Sequence, residues 1–338
     1  MIRRTLKSPI LDVLRRRFGA RREVESEGAL RVSSRAAAQP SPEILRAVRL
    51  LDLRTRSFVE SLFSGDHASV FLGRGLDFSH VRPYQPGDDV RAIDWKVTAR
   101  RGAPYVRQFL EERDLLVVLL VDISASGWRG PGEKSPGEIA AEIAAALAFT
   151  AVRNHDRVAL LLVSREVERF VPPRSGRRHV MRVLTEMLSH VPSSTDTDLT
   201  PGLEHVARSL SGRATVFVLS DFIQTGPHDP FVASLKRACR AHDVIAIRLS
   251  SRATDELPSV GWVELTDPES GRRVVVDTGD RKVSERYRKR VLRAHARTAS
   301  LLAEAGAELV DVDSAGDPLA VLSDFLRRRR LRRRSLQP

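Results

Sequence analysis

The sequence predicts an α/β protein built on a doubly wound, mostly parallel β-sheet, with a loop-rich N-terminal segment and an inserted β-hairpin. Three observations predict it. Short runs that are apolar at every position alternate with stretches that are apolar at helical spacing. The short runs are rich in Val, Leu and Ile, as strands buried on both faces require. Polar residues able to carry chemistry gather where those runs end, which is where such sheets bind ligands.

Taken in order, residues 1–40 hold a short basic amphipathic stretch and then Ser, Ala and Gln-Pro, and are expected to be flexible. Ser41-Pro42-Glu43 opens a helix with a capping hydroxyl and a proline at the first helical position. Ile44, Val48, Leu51, Phe58 and Leu62 carry that helix to about residue 63. Residues 73–102 are dense in Gly, Pro and Asp and are expected to form loops with short β-like pieces. The first buried strand is 115–121. Ser135 and Glu138 have capping-box spacing and open a helix with Ile139, Ile143, Ala146, Leu147 and Thr150 on one face. Strands at 158–163 and 167–171 follow, then helices over 179–188 and 199–210. Next come a strand at 215–219, a helix over 230–241 and a strand at 244–249. Residues 260–276 read as a hairpin with its turn between Pro268 and Gly271. A long helix over 283–305 stops at Gly306, a strand covers 308–312, and a last helix from Pro318 enters an Arg-rich end. The implied division is 41–112 for the first helix and loop segment, 113–326 for the main domain with the hairpin at about 258–278, and 327–338 for a basic tail.

The lone cysteine, Cys239, excludes an intrachain disulfide and fits a reducing compartment. It reads as a small buried helix residue. The apolar run 115–121 falls far short of the ~20 residues of a membrane helix, and no apolar signal core follows the basic N-terminus. The chain is therefore expected to be soluble and cytoplasmic. A net charge of +13 points to acidic partners, nucleic acid or an anionic membrane surface. Much of the visible excess sits at Arg15 to Arg17, Arg327 to Arg330 and Arg332 to Arg334, and reads first as solvated extensions. Neither zinc-finger spacing nor an aromatic-rich RNA-binding strand is present.

The first buried strand ends in Asp122-Ile123-Ser124-Ala125-Ser126, whose alternation puts one carboxylate and two hydroxyls on one side. These hard oxygen donors suit Mg²⁺ or Ca²⁺ better than zinc or copper. The strand at 215–219 ends in Ser220-Asp221, a second carboxylate that can act directly or through water. Between them, Ser193 to Leu199 form a polar loop that opens a helix and can add a hydroxyl. In this order the pieces resemble the metal-ion-dependent adhesion site of von Willebrand A domains. The resemblance implies Asp122, Ser124, Ser126, Thr197 and Asp221 as cation ligands, with Thr195 the fallback for Thr197. The implied cation is Mg²⁺, with Ca²⁺ and Mn²⁺ as alternatives.

A second set of residues is Gly73-Arg74-Gly75-Leu76-Asp77-Phe78, then Arg82-Pro83-Tyr84-Gln85-Pro86-Gly87-Asp88-Asp89-Val90-Arg91-Ala92-Ile93-Asp94-Trp95, then Thr98-Ala99-Arg100. It resembles the signature of the domain of unknown function 58 family, as does Asp267-Pro268-Glu269-Ser270-Gly271. The likeness covers roughly residues 42–326. It implies a von Willebrand A-like domain after the signature and an adaptor or assembly role beside a MoxR-type AAA ATPase. Pro86-Gly87-Asp88 is a turn signal. Asp88, Asp89 and Asp94 can pair with Arg82, Arg91 and Arg100, while Tyr84 and Trp95 add apolar bulk. Two readings follow: a buried ion-pair network that fixes the segment on the sheet, or a surface that docks a partner.

Catalysis is not expected. A dehalogenase-type phosphatase needs an acid two residues after its strand-end Asp, and here that position is Ser124. Ser124 and Ser126 lack the leading glycine of a hydrolase elbow. Walker A and complete dinucleotide loops are absent. His155 and His190 read as surface or capping residues. The expected function is a non-enzymatic, metal-dependent protein interaction in which an acidic side chain of the partner completes the coordination shell. The alternatives are a metal-dependent phosphohydrolase, or a nucleic-acid or anionic-membrane binder acting through the Arg tail.

Overall fold

The computed structural model describes residues 41–63, 81–85, 90, 93, 95–107, 115–124, 135–223, 228–250, 255–266 and 273–334. The expected flexible segment 1–40, most of the signature block and the hairpin turn lie outside them. Helix α1 spans Pro42–Phe63, with the Ser41 hydroxyl accepting from the Ile44 N–H. Strands β1 (Val81–Pro83) and β2 (Tyr105–Arg107) pair antiparallel and enclose α2 (Trp95–Arg101). The main body then runs β3 (Leu116–Asp122), α3 (Pro136–Arg153), β4 (Arg157–Val163), β5 (Val167–Arg174), α4 (Arg177–Ser189), α5 (Thr200–Ser209), β6 (Ala214–Ser220), α6 (His228–Ala241) and β7 (Asp243–Ser250). It closes with the hairpin β8 (Trp262–Thr266) and β9 (Arg273–Asp277), then α7 (Arg281–Ala305), β10 (Glu308–Asp313) and α8 (Pro318–Arg334).

Six strands form one sheet in the order β10-β7-β6-β3-β4-β5. All neighbours are parallel except β5, which returns antiparallel against β4. The apolar runs have a direct cause in this arrangement. Along β3, Val117, Leu119 and Val121 enter one core, with residues of α1, α3, α4 and α8. Leu116, Val118 and Leu120 enter the other, with residues of α5, α6 and the end of α7. A strand that serves two cores has no solvent side on which to place a polar residue.

Helix α3 is buried over almost its whole length because it lies between the sheet and α1. Its alanines allow that close sandwich, and its start is the capping box read from the sequence: the Glu138 N–H donates to Ser135 Oγ at 3.3 Å and the Ser135 N–H to Glu138 Oε2 at 2.9 Å. Ile44, Val48, Leu51 and Phe58 of α1 belong to the same core as α3. The division expected at residue 112 therefore does not separate α1 from the main body. On the other face, α5 seats so closely that a Cβ at Gly202 would fall 2.7 Å from Val163 Cγ2. Gly306 ends α7 in a left-handed conformation with φ 91°, as the sequence signal required.

The Arg-rich end corrects an expectation. It continues α8 rather than trailing as a solvated tail, and Arg329 is 7% exposed. Arg329 Nη2 meets both carboxylate oxygens of Asp243 at 2.5 Å, and its Nε meets Glu308 Oε1 at 2.9 Å. Helical spacing explains this, because Arg329 continues the buried stripe of Leu322, Phe325 and Leu326. That stripe carries it to the amino-terminal ends of β7 and β10, where the two acids stand. Cys239 is half-buried in α6, and burial together with the Asp243 charge pushes its thiol up to about 11. Among the described residues no helix is long and apolar enough to cross a membrane.

Candidate metal centre

Three loops converge at the carboxyl ends of β4, β3 and β6. On β3, Asp122 is 1% exposed and Ser124 fully buried. The Ser124 N–H donates to Asp122 Oδ1 at 2.9 Å, and the Ser124 hydroxyl also bonds the carboxylate. On β6, the register that pairs Val121 with Leu219 brings Ser220 beside Asp122. Ser220 Oγ donates to Asp122 Oδ2 at 2.5 Å and accepts from the Phe222 N–H at 2.9 Å. Asp221 stands one residue further out, half-buried, with its Oδ1 accepting from the Ile223 N–H at 2.8 Å. Phe222 completes that turn at φ 58°, a left-handed conformation that costs a non-glycine residue about 1–2 kcal/mol. Strain of this kind persists where the surroundings over-determine it, as at ligand sites.

The third loop carries Thr197, which is fully buried, whereas Thr195 is exposed. The Asp198 N–H donates to the Ser164 carbonyl at 2.8 Å, pinning the loop to the end of β4. Asp198 Oδ1 then caps α5 through the Thr200 N–H at 2.9 Å. Thus Asp122 and Ser124 are in contact, and Thr197 and Asp221 stand on the two flanking loops. Ser126 lies outside the described residues.

Asp122 is a buried carboxyl whose neighbours are hydroxyls and an amide. Burial pushes its carboxyl above the ordinary range, and the hydrogen bonds from Ser124 and Ser220 oppose that rise only in part. Among the described residues no Lys, Arg or His pairs with it. A buried carboxylate without a counter-charge is costly, and it fits a site for a hard cation. Asp122, Ser124 and Thr197 would supply oxygen ligands there, with Asp221 from β6. Among the described residues there is no cluster of three or more His, Cys, Asp or Glu side chains, so the donor set is weighted towards hydroxyls.

Two groups here escaped the sequence reading. Ser220 was passed over for Asp221, because only the β3–β6 register shows which of the two faces Asp122. The other is Glu168 on β5, whose side chain is 4% exposed. It accepts from Ser164 Oγ, bonds His190 Nε2 at 2.8 Å and accepts from the Ser193 N–H at 2.8 Å. His190 does stand at the end of α4, as read, but it also binds this acid. Glu168 therefore ties the start of the Thr197 loop to the β4–β5 turn.

Burial alone would raise the Glu168 carboxyl, yet the hydrogen bonds from His190, Ser164 and the Ser193 N–H outweigh it and hold the carboxyl below its usual 4.5. A depressed carboxyl stabilises the fold above its unfolded value and loses that contribution as pH falls through the folded one. Replacing Glu168 by Gln should cost about 1–3 kcal/mol near neutrality. The difference from wild type should shrink as pH drops below about 4.5, read from urea midpoints against pH. A difference that stays constant down to pH 3 contradicts this.

In the signature block, the Tyr84 N–H donates to the Pro104 carbonyl at 2.9 Å. Trp95 is 70% exposed and Arg100 is exposed, so neither belongs to a buried network. Asp88, Asp89, Arg91, Asp94 and the Arg82 side chain lie outside the described residues.

The family model described as protein of unknown function DUF58 matches residues 80–297. The chain belongs to the DUF58 family. An uncharacterized protein of Mycobacterium tuberculosis is 32% identical to this DUF58 chain over 294 residues, covering 86% of the chain and 90% of the relative. The uncharacterized protein YeaD of Bacillus subtilis is 27% identical over 146 residues, 43% of the chain and 33% of the relative. Among solved structures, an aerotolerance-related membrane protein of Bacteroides fragilis aligns at TM-score 0.43 and 16% identity, over 63% of this chain and 97% of that one. The SpRpn10 VWA domain aligns at TM-score 0.37 and 10% identity, over 63% and 93%. The DUF58 chain has the α/β architecture that its resemblance to von Willebrand A domains implied.

Proposed function

We propose that this DUF58 chain is a non-enzymatic protein-interaction module whose contact depends on a divalent cation. The observation that supports this is the buried Asp122 carboxylate at the carboxyl edge of the sheet, surrounded by hydroxyls and lacking a positive partner among the described residues. Asp122, Ser124, Ser126 and Thr197 would hold the ion, with Asp221 acting directly or through water. Mg²⁺ suits this hydroxyl-rich set best, since it keeps several waters and needs few charged ligands; Ca²⁺ and Mn²⁺ share the same donor preference. With Asp221 acting through water, one directly bound carboxylate and neutral hydroxyls leave the ion with net positive charge. An acidic side chain of a partner then finds both a counter-charge and an exchangeable coordination position. The resemblance to the family supports a MoxR-type AAA ATPase as that partner.

The protein's own groups do the positioning. Ser220 and the Ser124 amide orient the Asp122 carboxylate, and the Asp198–Ser164 bond presents Thr197. No base or nucleophile is required for this role. The test is capture of a purified MoxR-type ATPase by wild type and Asp122→Ala, each in Mg²⁺ and in EDTA. Capture should require both Asp122 and Mg²⁺, with at least a tenfold loss when either is removed. Equal capture by wild type in Mg²⁺ and EDTA would overturn the proposal.

A further inference from the structure

The longest helix, α7, is buried at Leu302 only, and its half-buried positions Tyr287, Val291 and His295 follow one face. On the opposite face stand Lys282, Arg286, Lys289, Arg290, Arg293 and Arg297, all exposed. Their offsets of 4, 7, 8, 11 and 15 residues from Lys282 place them within about a quarter to a third of the helix circumference. At 1.5 Å per residue the row is about 22 Å long. Among the described residues none of the six has a carboxylate partner; Glu285, the nearest acid on the helix, is paired with Arg281 at 2.9 Å. Arg329 behaves in the opposite way, since Asp243 and Glu308 use up its charge.

The base of the β8–β9 hairpin is fixed to the start of this helix. Thr278 donates through its N–H and its hydroxyl to the Gly261 carbonyl, at 2.8 and 2.7 Å, and the Ser284 hydroxyl donates to the Thr278 carbonyl at 3.1 Å. The hairpin exposes Trp262 at 75%, Val260 at 69% and Val275 at 62%, and Leu292 on the helix itself is 59% exposed. The pairing of Trp262 with Asp277 and of Glu264 with Val275 puts Trp262 and Val275 diagonally on one hairpin face. A cationic row draws any polyanion. Exposed Trp and Val next to it gain most from an interface with both charge and hydrocarbon.

We propose that the α7 row and the β8–β9 hairpin form a docking surface for an anionic lipid bilayer. The cations sit against acidic headgroups, and Trp262 with its apolar neighbours enters the headgroup boundary, where Trp is favoured. Each basic residue near such a surface contributes roughly fivefold in partitioning. The proposal rests on residues and observations separate from those of the candidate metal centre.

The experiment is co-sedimentation of the full chain with vesicles of phosphatidylcholine alone and of phosphatidylcholine with phosphatidylglycerol. Wild type should bind only the anionic vesicles and release them in high salt. The triple variant Arg286→Glu, Arg290→Glu, Arg293→Glu should bind about 100-fold more weakly. A charge-matched control, Arg46→Glu, Arg49→Glu, Arg54→Glu on exposed positions of α1, should lose no more than a few-fold. Trp262→Ala should lower vesicle binding several-fold and leave duplex DNA binding unchanged. Thermal midpoints confirm that each variant folds. Equal losses in the two triple variants, equal binding to both vesicle types, or tighter binding to duplex DNA than to anionic vesicles each overturns the proposal.

Discussion

In chelator, Asp122→Asn is expected to melt no lower than wild type, and it should show none of the rise that Mg²⁺ gives wild type. Asp122 is 1% exposed, and hydroxyls and one amide are its described partners. Asparagine keeps the size of the side chain and an acceptor for the Ser124 N–H while removing a buried charge. The uncharged side chain therefore relieves a desolvation cost that the carboxylate bears when no cation is bound. With the ion at one hundred times its dissociation constant, wild type gains about 2.7 kcal/mol. For a chain of this size that is a rise of several degrees. Differential scanning calorimetry of both proteins, in EDTA and across a Mg²⁺ titration, reads this directly. Equal Mg²⁺-induced rises in the two proteins would remove Asp122 from the site.

Arg329→Met is expected to destabilise the protein by about 3 kcal/mol or more. The guanidinium is 7% exposed and holds Asp243 and Glu308 at the amino-terminal ends of β7 and β10. Methionine fills most of the volume but leaves Asp243 as a buried anion, and a lost partner costs more than a missing pair. The double variant with Asp243→Asn should recover a large part of the loss. Urea unfolding of the single and double variants forms the cycle that measures the coupling. A single-variant effect below ~0.5 kcal/mol would assign Arg329 to the solvated charges of the helix end.

Much of the architecture was legible because β3, β4, β6 and β7 face two cores and so cannot hide their apolar runs. The capping box at Ser135 and Glu138 and the stop at Gly306 were legible because caps act locally. That Asp122, Ser124 and Asp221 stand at strand ends could be read from the sequence, and the resemblance to von Willebrand A domains pointed to Thr197. The part played by Ser220 could not, because it depends on the pairing of Val121 with Leu219, a contact between distant segments. Glu168 was hidden for a related reason: besides its near neighbour Ser164, its partners His190 and Ser193 come from one distant segment at the end of α4. The charge pattern misled in a different way. An arginine run at a chain end resembles a tail, yet helical spacing turns Arg329 inward, while the dense basic residues of α7 become one row only when the helix places them on a common face.

The tight seat of α5 bears on how the loops of the candidate metal centre are held. A methyl group at Gly202 would collide with Val163 and press on Leu120, so α5 packs directly on β3 and β4. The segment just ahead of it, which bears Thr197, is anchored to that same fixed body through Ser164. The Thr197 side of the candidate site is thus held between α5 and the end of β4. On the opposite side, Asp221 precedes Phe222, whose left-handed φ of 58° is the strained position of that loop.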